Sequence, residues 1–226
     1  MKLIIFDCDG TLIDSQHNIR AAMNYAFEAH GLAAPPREAV LGVVGLSLPE
    51  TFDVLAGQHS AALRHSLALH YRDAFLTGPL RQRLEEPLYP GIAEVVADLA
   101  TRSDRMLGVA TGKSRRGVAR LFDREGWHPH FVTIQTADDH PSKPDPSMIL
   151  KAMAETGAEA RHTVMVGDTS YDMEMARNAG VGAIGVAWGY HDVARLAAAG
   201  ARSIVDRGQD LLPEIERLLA AQEAEA

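Results

Sequence analysis

Short runs of aliphatic and β-branched residues recur along this chain, and each gives way to a stretch with helical spacing. Residues 2–6, 106–110, 131–136, 163–166, 182–187 and 202–205 read as strands. Most are apolar almost throughout rather than alternating, the pattern of strands buried on both faces of a parallel sheet. Residues 91–101, 114–126, 145–156, 170–179 and 210–220 read as the helices between them. This alternation predicts an α/β fold, a doubly wound parallel sheet with helices on both sides. In such sheets ligands gather outside the carboxyl ends of the strands.

Residues 15–80 interrupt the pattern. A helix is expected over 15–30, with Ser15 as N-cap and Gly31 as stop, and another over 60–75. Pro35, Pro36, Pro49 and Gly57 punctuate shorter helical pieces between them, and no strand pattern is present. The expected organisation is a core domain formed by residues 1–14 and 81–226, with a small all-helical cap domain, residues 15–80, inserted after the first strand. Gly78-Pro79 and residues 87–91 mark the return hinge. Residues 220–226 read as a frayed helix end.

Composition narrows the function classes. With 226 residues, 46% hydrophobic and 23% charged, the chain suits a globular enzyme; its net charge of −8 argues against a nucleic-acid binder. The apolar run at the N-terminus ends at Phe6 and is followed by an acid, unlike a secretory signal, and no stretch approaches a membrane span. The single cysteine, Cys8, forms no internal disulfide and suits a reducing compartment, so a cytoplasmic location is expected. Cys8 itself reads as a small core filler.

The residues that carry chemistry stand in four clusters, each at a predicted strand end. The first is Asp7-Cys8-Asp9-Gly10-Thr11. Two carboxylates delivered to the edge of an apolar core repel each other and lose hydration, a cost that a divalent cation removes. Asp7 is placed as nucleophile or metal ligand and Asp9 as acid and base. Gly10 permits a sharp turn. The second cluster, Thr111-Gly112-Lys113, joins a hydroxyl and a glycine amide to a helix N-terminus, an anion-binding combination, although an ordinary turn capped by Ser114 would read the same way. In the third, prolines on either side of Asp145 and directly after Lys143 restrain a lysine that would otherwise read as a solvated loop residue. Lysine is scarce, four against eighteen arginines, and two of the four, Lys113 and Lys143, sit in these turns. The fourth cluster, Gly167-Asp168 through Asp172, sets two acids where both can face one cation. Helix capping would account for Asp172 alone.

Jointly and in this order, the four clusters resemble those of the haloacid dehalogenase-like hydrolase superfamily, and the resemblance spans essentially the whole chain, helical cap included. It implies that Asp7 attacks the phosphorus of a phosphomonoester to form an aspartyl-phosphate. Asp9 would protonate the leaving oxygen and then deprotonate the hydrolytic water. Thr111, Gly112, Gly10 and Lys143 would hold the phosphoryl group. Mg²⁺ would be held by the Asp7 carboxylate, the Asp9 backbone carbonyl and Asp168, with Asp172 in support. Family members that act as dehalogenases generally lack the second acid, here Asp9. Those that cleave phosphonates use a cap lysine, and residues 15–80 contain none. Sugar-phosphate mutases carry basic residues where Val44 and Leu48 align and a histidine where Ile19 falls. The closest likeness is to phosphoglycolate phosphatases, supported by Trp188-Gly189-Tyr190. The expected partner is therefore a small phosphorylated metabolite, 2-phosphoglycolate or similar, with no nucleic acid and no membrane. A pyrophosphatase or nucleotidase of the same fold is the alternative, followed by a mutase or a non-catalytic binding protein. Arg20, Arg37 and Arg64 are the cap residues considered for an anionic substrate tail, while Arg115, Arg116 and Trp188 read as solvated or packing residues.

Overall fold

The computed structural model describes residues 1–81 and 86–225; residues 82–85 and 226, assigned above to the core segment and its tail, lie outside the described residues. Six strands form one sheet: β1 (Lys2–Phe6), β2 (Arg105–Thr111), β3 (Phe131–Thr136), β4 (Thr163–Gly167), β5 (Gly182–Val186) and β6 (Ser203–Val205). All pairings are parallel, and the spatial order is β3-β2-β1-β4-β5-β6. The order reverses beside β1, so the crevice at the carboxyl ends of β1 and β4 is the topological switch point of a doubly wound sheet.

The near-continuous apolar strands are explained by cover on both faces. Ile4 and Phe6 of β1 join a cluster with α5 (Ile92–Thr101), α6 (Arg115–Glu125) and α10 (Leu211–Glu225). Leu3 and Ile5, pointing the other way, join α7 (Ser147–Thr156), α8 (Ser170–Ala179) and α9 (Val193–Ala199). Each fully buried Leu, Ile or Phe in these layers contributes roughly 1.5–3 kcal/mol from apolar burial. Cys8 is buried in the first layer.

Between β1 and α5 run α1 (Gln16–Glu28), α2 (Arg37–Leu41), α3 (Leu48–Leu55) and α4 (Ala61–Leu76), with a hydrophobic cluster of their own built on Met23, Phe27, Val40, Phe52 and Leu67. Among the described residues this segment contains no strand.

Three local expectations are corrected. Ser15 does not cap α1: its hydroxyl lies 3.2 Å from the Tyr190 hydroxyl, and Asp14 instead accepts from the Gln16 amide. The chain's end is not frayed over residues 220–225. The buried Gln222 donates to the backbone oxygens of Arg161 and Thr163, and Arg202 pairs with Glu225, which holds α10 to its last described turn. The helix α9 has no counterpart in the sequence reading, because seven residues rich in alanine carry too little periodic signal; Asp192 caps it through the Arg195 amide.

Candidate active site

All four clusters converge at the switch point. Asp7 follows β1 directly, Thr111 ends β2, and Gly167 ends β4 one residue before Asp168. Lys143 comes from the loop before α7, and Asp172 from the first turn of α8. Carboxylate oxygens of Asp7, Asp168 and Asp172 all lie within 4.8 Å of one another, and all three residues are buried.

The carboxylate of Asp7 is the least satisfied of the three. Neither of its oxygens accepts a hydrogen bond, although Lys143 Nζ lies 3.1 Å from Oδ1 in a geometry too poor to count as one. Burial raises its pKa to about 6 against the pull of Lys143 and of the nearby Thr111 hydroxyl, and Asp172 and Asp9 raise it further. Asp168 is also pushed well up, first by burial and then by Asp172 and Asp7, while accepting from Thr11 Oγ1 at 2.9 Å and the Tyr190 amide at 2.8 Å. Asp172 is fully engaged: Oδ1 takes Lys143 at 2.6 Å, and Oδ2 takes the Thr169 amide and hydroxyl in a capping box. Asp172 thus serves both as helix cap and as partner to the lysine. Burial pulls the Lys143 pKa down, but Asp172 and Asp7 outweigh it and hold it above the ordinary lysine value.

A second charged group sits alongside. Lys113 Nζ lies 2.8 Å from Asp9 Oδ1 and 3.3 Å from Glu86 Oε1, and those two carboxylates hold its pKa above the ordinary lysine value despite burial. The Asp9 carboxylate is therefore directed to Lys113 and is not part of the three-acid cluster. Gly10 is required where it stands: its φ is +91°, and a Cβ there would lie 2.2 Å from Asp168 Oδ2. A Cβ on Gly112 would come within 2.8 Å of the Gly45 carbonyl oxygen, since the segment between α2 and α3 reaches down onto this turn. The Ser47 amide, on the same segment, donates to Ser142 Oγ.

A cavity of about 480 Å³ opens above Asp7 and Asp9 and is lined by residues of both layers, Ile19, Val44, Leu48, Thr111, Gly112 and Lys113 among them. Arg20, Arg37 and Arg64 do not line it. Arg37 is turned to Gln16, and Arg64 pairs with Asp53. Sequence reasoning also left several contributors unassigned. Lys113 had a usable signal, a scarce lysine after Thr-Gly. Glu86 had none, being one acid in a proline-flanked hinge. Trp188 donates from Nε1 to the Thr11 carbonyl, so it braces the first cluster rather than only packing.

His191 ties the two helical layers together: Nδ1 accepts from the Ser170 amide at 2.9 Å, and Nε2 lies 3.3 Å from the Gly42 carbonyl oxygen. Nδ1 can accept only in the neutral ring. Burial, followed by Arg195, lowers the His191 pKa to about 4, against the opposing pull of the Gly42 carbonyl, Asp172 and Asp192. A histidine depressed on folding costs stability as pH falls, because the unfolded chain binds the proton first. Wild-type stability should therefore drop between pH 6.5 and 4 by about 1–2 kcal/mol from this residue, after discounting for solvent screening. Urea unfolding of wild type and His191→Gln at both ends of that range checks it; an identical pH dependence in the two proteins would refute the assignment.

Comparison with known proteins agrees with this geometry. Residues 4–186 match the sequence profile of the haloacid dehalogenase-like hydrolases. A protein of Dickeya dadantii described as "Probable phosphatase IndB" is 34% identical over 219 residues, covering 96% of this chain and 94% of that protein. A phosphoglycolate phosphatase of Agrobacterium fabrum is 32% identical, covering 84% and 82%, and the pyrophosphatase PpaX of Oceanobacillus iheyensis is 30% identical, covering 94% and 95%. Among solved structures, a phosphatase described as predicted from Clostridium acetobutylicum superposes with a TM-score of 0.85 at 24% identity, covering 96% and 98% of the two chains. A match across residues 4–186, joined to relatives above 30% identity over more than four fifths of each chain, makes this chain a haloacid dehalogenase-like hydrolase of the phosphoglycolate phosphatase-like group.

Proposed function

We propose that this protein is a Mg²⁺-dependent phosphatase that hydrolyses a small phosphomonoester through a phosphoryl group carried on Asp7. The observation that carries this reading is the state of Asp7: buried at the cavity, neither oxygen held in a well-formed hydrogen bond, with Lys143 and the Thr111 hydroxyl beside it. A buried carboxylate left with unused lone pairs is available both to a cation and to an electrophile.

The donor set fits a hard divalent cation. Three buried carboxylates, two of them with raised pKa values, supply oxygen ligands and an excess of negative charge that a cation would relieve. Asp7 and Asp168 would hold it, with the Asp9 backbone carbonyl; the oxygens of Asp172 are already committed to Lys143 and Thr169. When bound, the ion offsets charge on the phosphoryl oxygens and so lowers the barrier to an anionic encounter.

The remaining work falls to the chain's own groups. Lys143 neutralises charge between nucleophile and phosphoryl group, and the Thr111 hydroxyl and Gly112 amide receive phosphoryl oxygens at the head of α6. Asp9, once it has taken up a proton on leaving Lys113, gives that proton to the leaving oxygen and takes one from the water that follows. Its ion pair with Lys113 means that substrate must draw Asp9 away from the lysine, which then keeps Glu86 as partner. Asp9→Asn should lower kcat/KM, which reports the first phosphoryl transfer, about 10²–10⁴-fold, the range of general acid–base catalysis, with an activated ester such as p-nitrophenyl phosphate suffering less than an alkyl phosphate because its leaving group needs no proton. Equal losses on both substrates would contradict the role.

The helices α1–α4 act in this reading as a cap domain, residues 15–80, that covers the cavity and excludes water. The cavity positions Ile19, Val44 and Leu48 are apolar, which disfavours a sugar-phosphate mutase. A pyrophosphatase remains the second reading, favoured by the likeness to PpaX. A panel of phosphorylated metabolites, pyrophosphate and nucleotides, compared by kcat/KM with and without Mg²⁺, tests the proposal. Lack of turnover on every compound would overturn it.

A further inference from the structure

Three arginines line the cavity apart from the groups already described: Arg72 on α4, and Arg116 and Arg120 on α6. Other arginines nearby are spoken for, Arg64 by Asp53 and Arg115 by Asp139. Among the described residues no ion pair holds Arg72, Arg116 or Arg120. The Nε of Arg120 is buried without a hydrogen-bond partner, an unusual state for a guanidinium. Arg116 and Arg120 stand four residues apart on one helix face, where like charges repel, and burial together with Arg116 pulls the Arg120 pKa down. Both disfavoured features disappear if an anion sits between them.

Among the described residues, the acids around them do not supply that anion. Asp7 and Asp9 are paired with Lys143 and Lys113, Asp138 accepts from the Arg115 amide, and Glu86 is in contact with Lys113. Glu86 also acts on Arg120 electrostatically, yet leaves Arg120 Nε unpartnered. Elsewhere the lining combines apolar Met23, Val40, Val44, Leu48, Phe75 and Leu76 with the hydroxyl side chains of Ser47, Thr51 and Tyr71, and among the described residues it offers no further cation.

We propose that Arg72, Arg116 and Arg120 form a second anion subsite, and that the substrate is a small phosphate ester bearing a further anionic group, a carboxylate or a second phosphoryl. The inference rests on the phosphatase reading for its first subsite but not for its test. Core helix α6 thus contributes two of the specificity residues, and the cap contributes only one.

Binding of analogues that cannot be turned over tests it, by isothermal titration in Mg²⁺ with methylphosphonate, phosphonoacetate and methylenediphosphonate. The wild type should bind at least one of the two doubly anionic analogues more than tenfold tighter than methylphosphonate, and which of the two is preferred separates carboxylate from phosphoryl. In Arg120→Gln, and in the exposed Arg116→Gln as a variant with little risk to folding, that advantage should shrink to within about threefold. Equal affinity for all three analogues in the wild type, or an advantage retained in both variants, would overturn the subsite. Turnover of p-nitrophenyl phosphate by the wild type is a separate readout, so its absence would count against the phosphatase reading alone.

Discussion

Asp7→Asn is expected to lower kcat by about 10⁴ or more, roughly 5 kcal/mol of barrier at 1.36 kcal/mol per decade, because an amide cannot form the covalent intermediate. The same substitution should leave the metal-free protein as stable as the wild type or more so at pH 7. The sign follows from the raised pKa of about 6 against an ordinary 3.8. A carboxyl whose pKa rises on folding costs nothing while both states are protonated. Its penalty begins near pH 4 as the unfolded chain ionises, and is complete above about pH 6. At pH 7 the buried charge therefore costs up to about 3 kcal/mol, which a neutral amide of the same shape avoids. Urea unfolding without metal, at pH 4 and pH 7, checks this. The variant should gain on the wild type only at the higher pH. A variant that loses stability at pH 7, or that retains turnover, would contradict the placement of Asp7.

The second large effect is expected at Lys143. It is buried between Asp7 and Asp172 and is the only described cation in contact with either. Replacing it with methionine keeps much of the volume but leaves two buried carboxylates facing each other without compensation. Removal of one member of a buried ionic group costs about 3–5 kcal/mol. Lys143→Met should therefore be destabilised by that amount at pH 7 without metal. Part of the loss should return at pH 5, where Asp7 takes up a proton, and part on adding Mg²⁺, which restores positive charge to the cluster. Turnover should fall by at least 10³ even where folding is rescued, since the phosphoryl group loses its lysine. A loss of stability indifferent to both pH and Mg²⁺ would mean that Lys143 packs rather than compensates charge.

These two residues were legible in the sequence for different reasons. Asp7 stood at the break between an apolar run and a turn, where strand periodicity ends and chemistry begins. Lys143 was marked by the scarcity of lysine and the prolines beside it. The six strands were readable to within a residue or two at each end, because both faces of the sheet are covered and the runs are unbroken. What escaped was held by contacts between distant segments. Ser15 looks like a helix cap locally but is taken by Tyr190, and Gln222 looks solvated but is drawn in by two backbone carbonyls. Glu86 and Arg120 line the cavity only because the segment before α5 and the helix α6 meet there. No local pattern distinguishes them from surface charges. The arginines first considered for specificity, Arg20, Arg37 and Arg64, sit on α1, α2 and α4, but the cavity does not reach them.

The stereochemical course at phosphorus tests the central claim most directly. Hydrolysis of a phosphate ester made chiral with oxygen isotopes should proceed with retention of configuration, since attack by Asp7 and then by water inverts the centre twice. Net inversion would mean that water attacks the ester directly and that Asp7 is not the nucleophile.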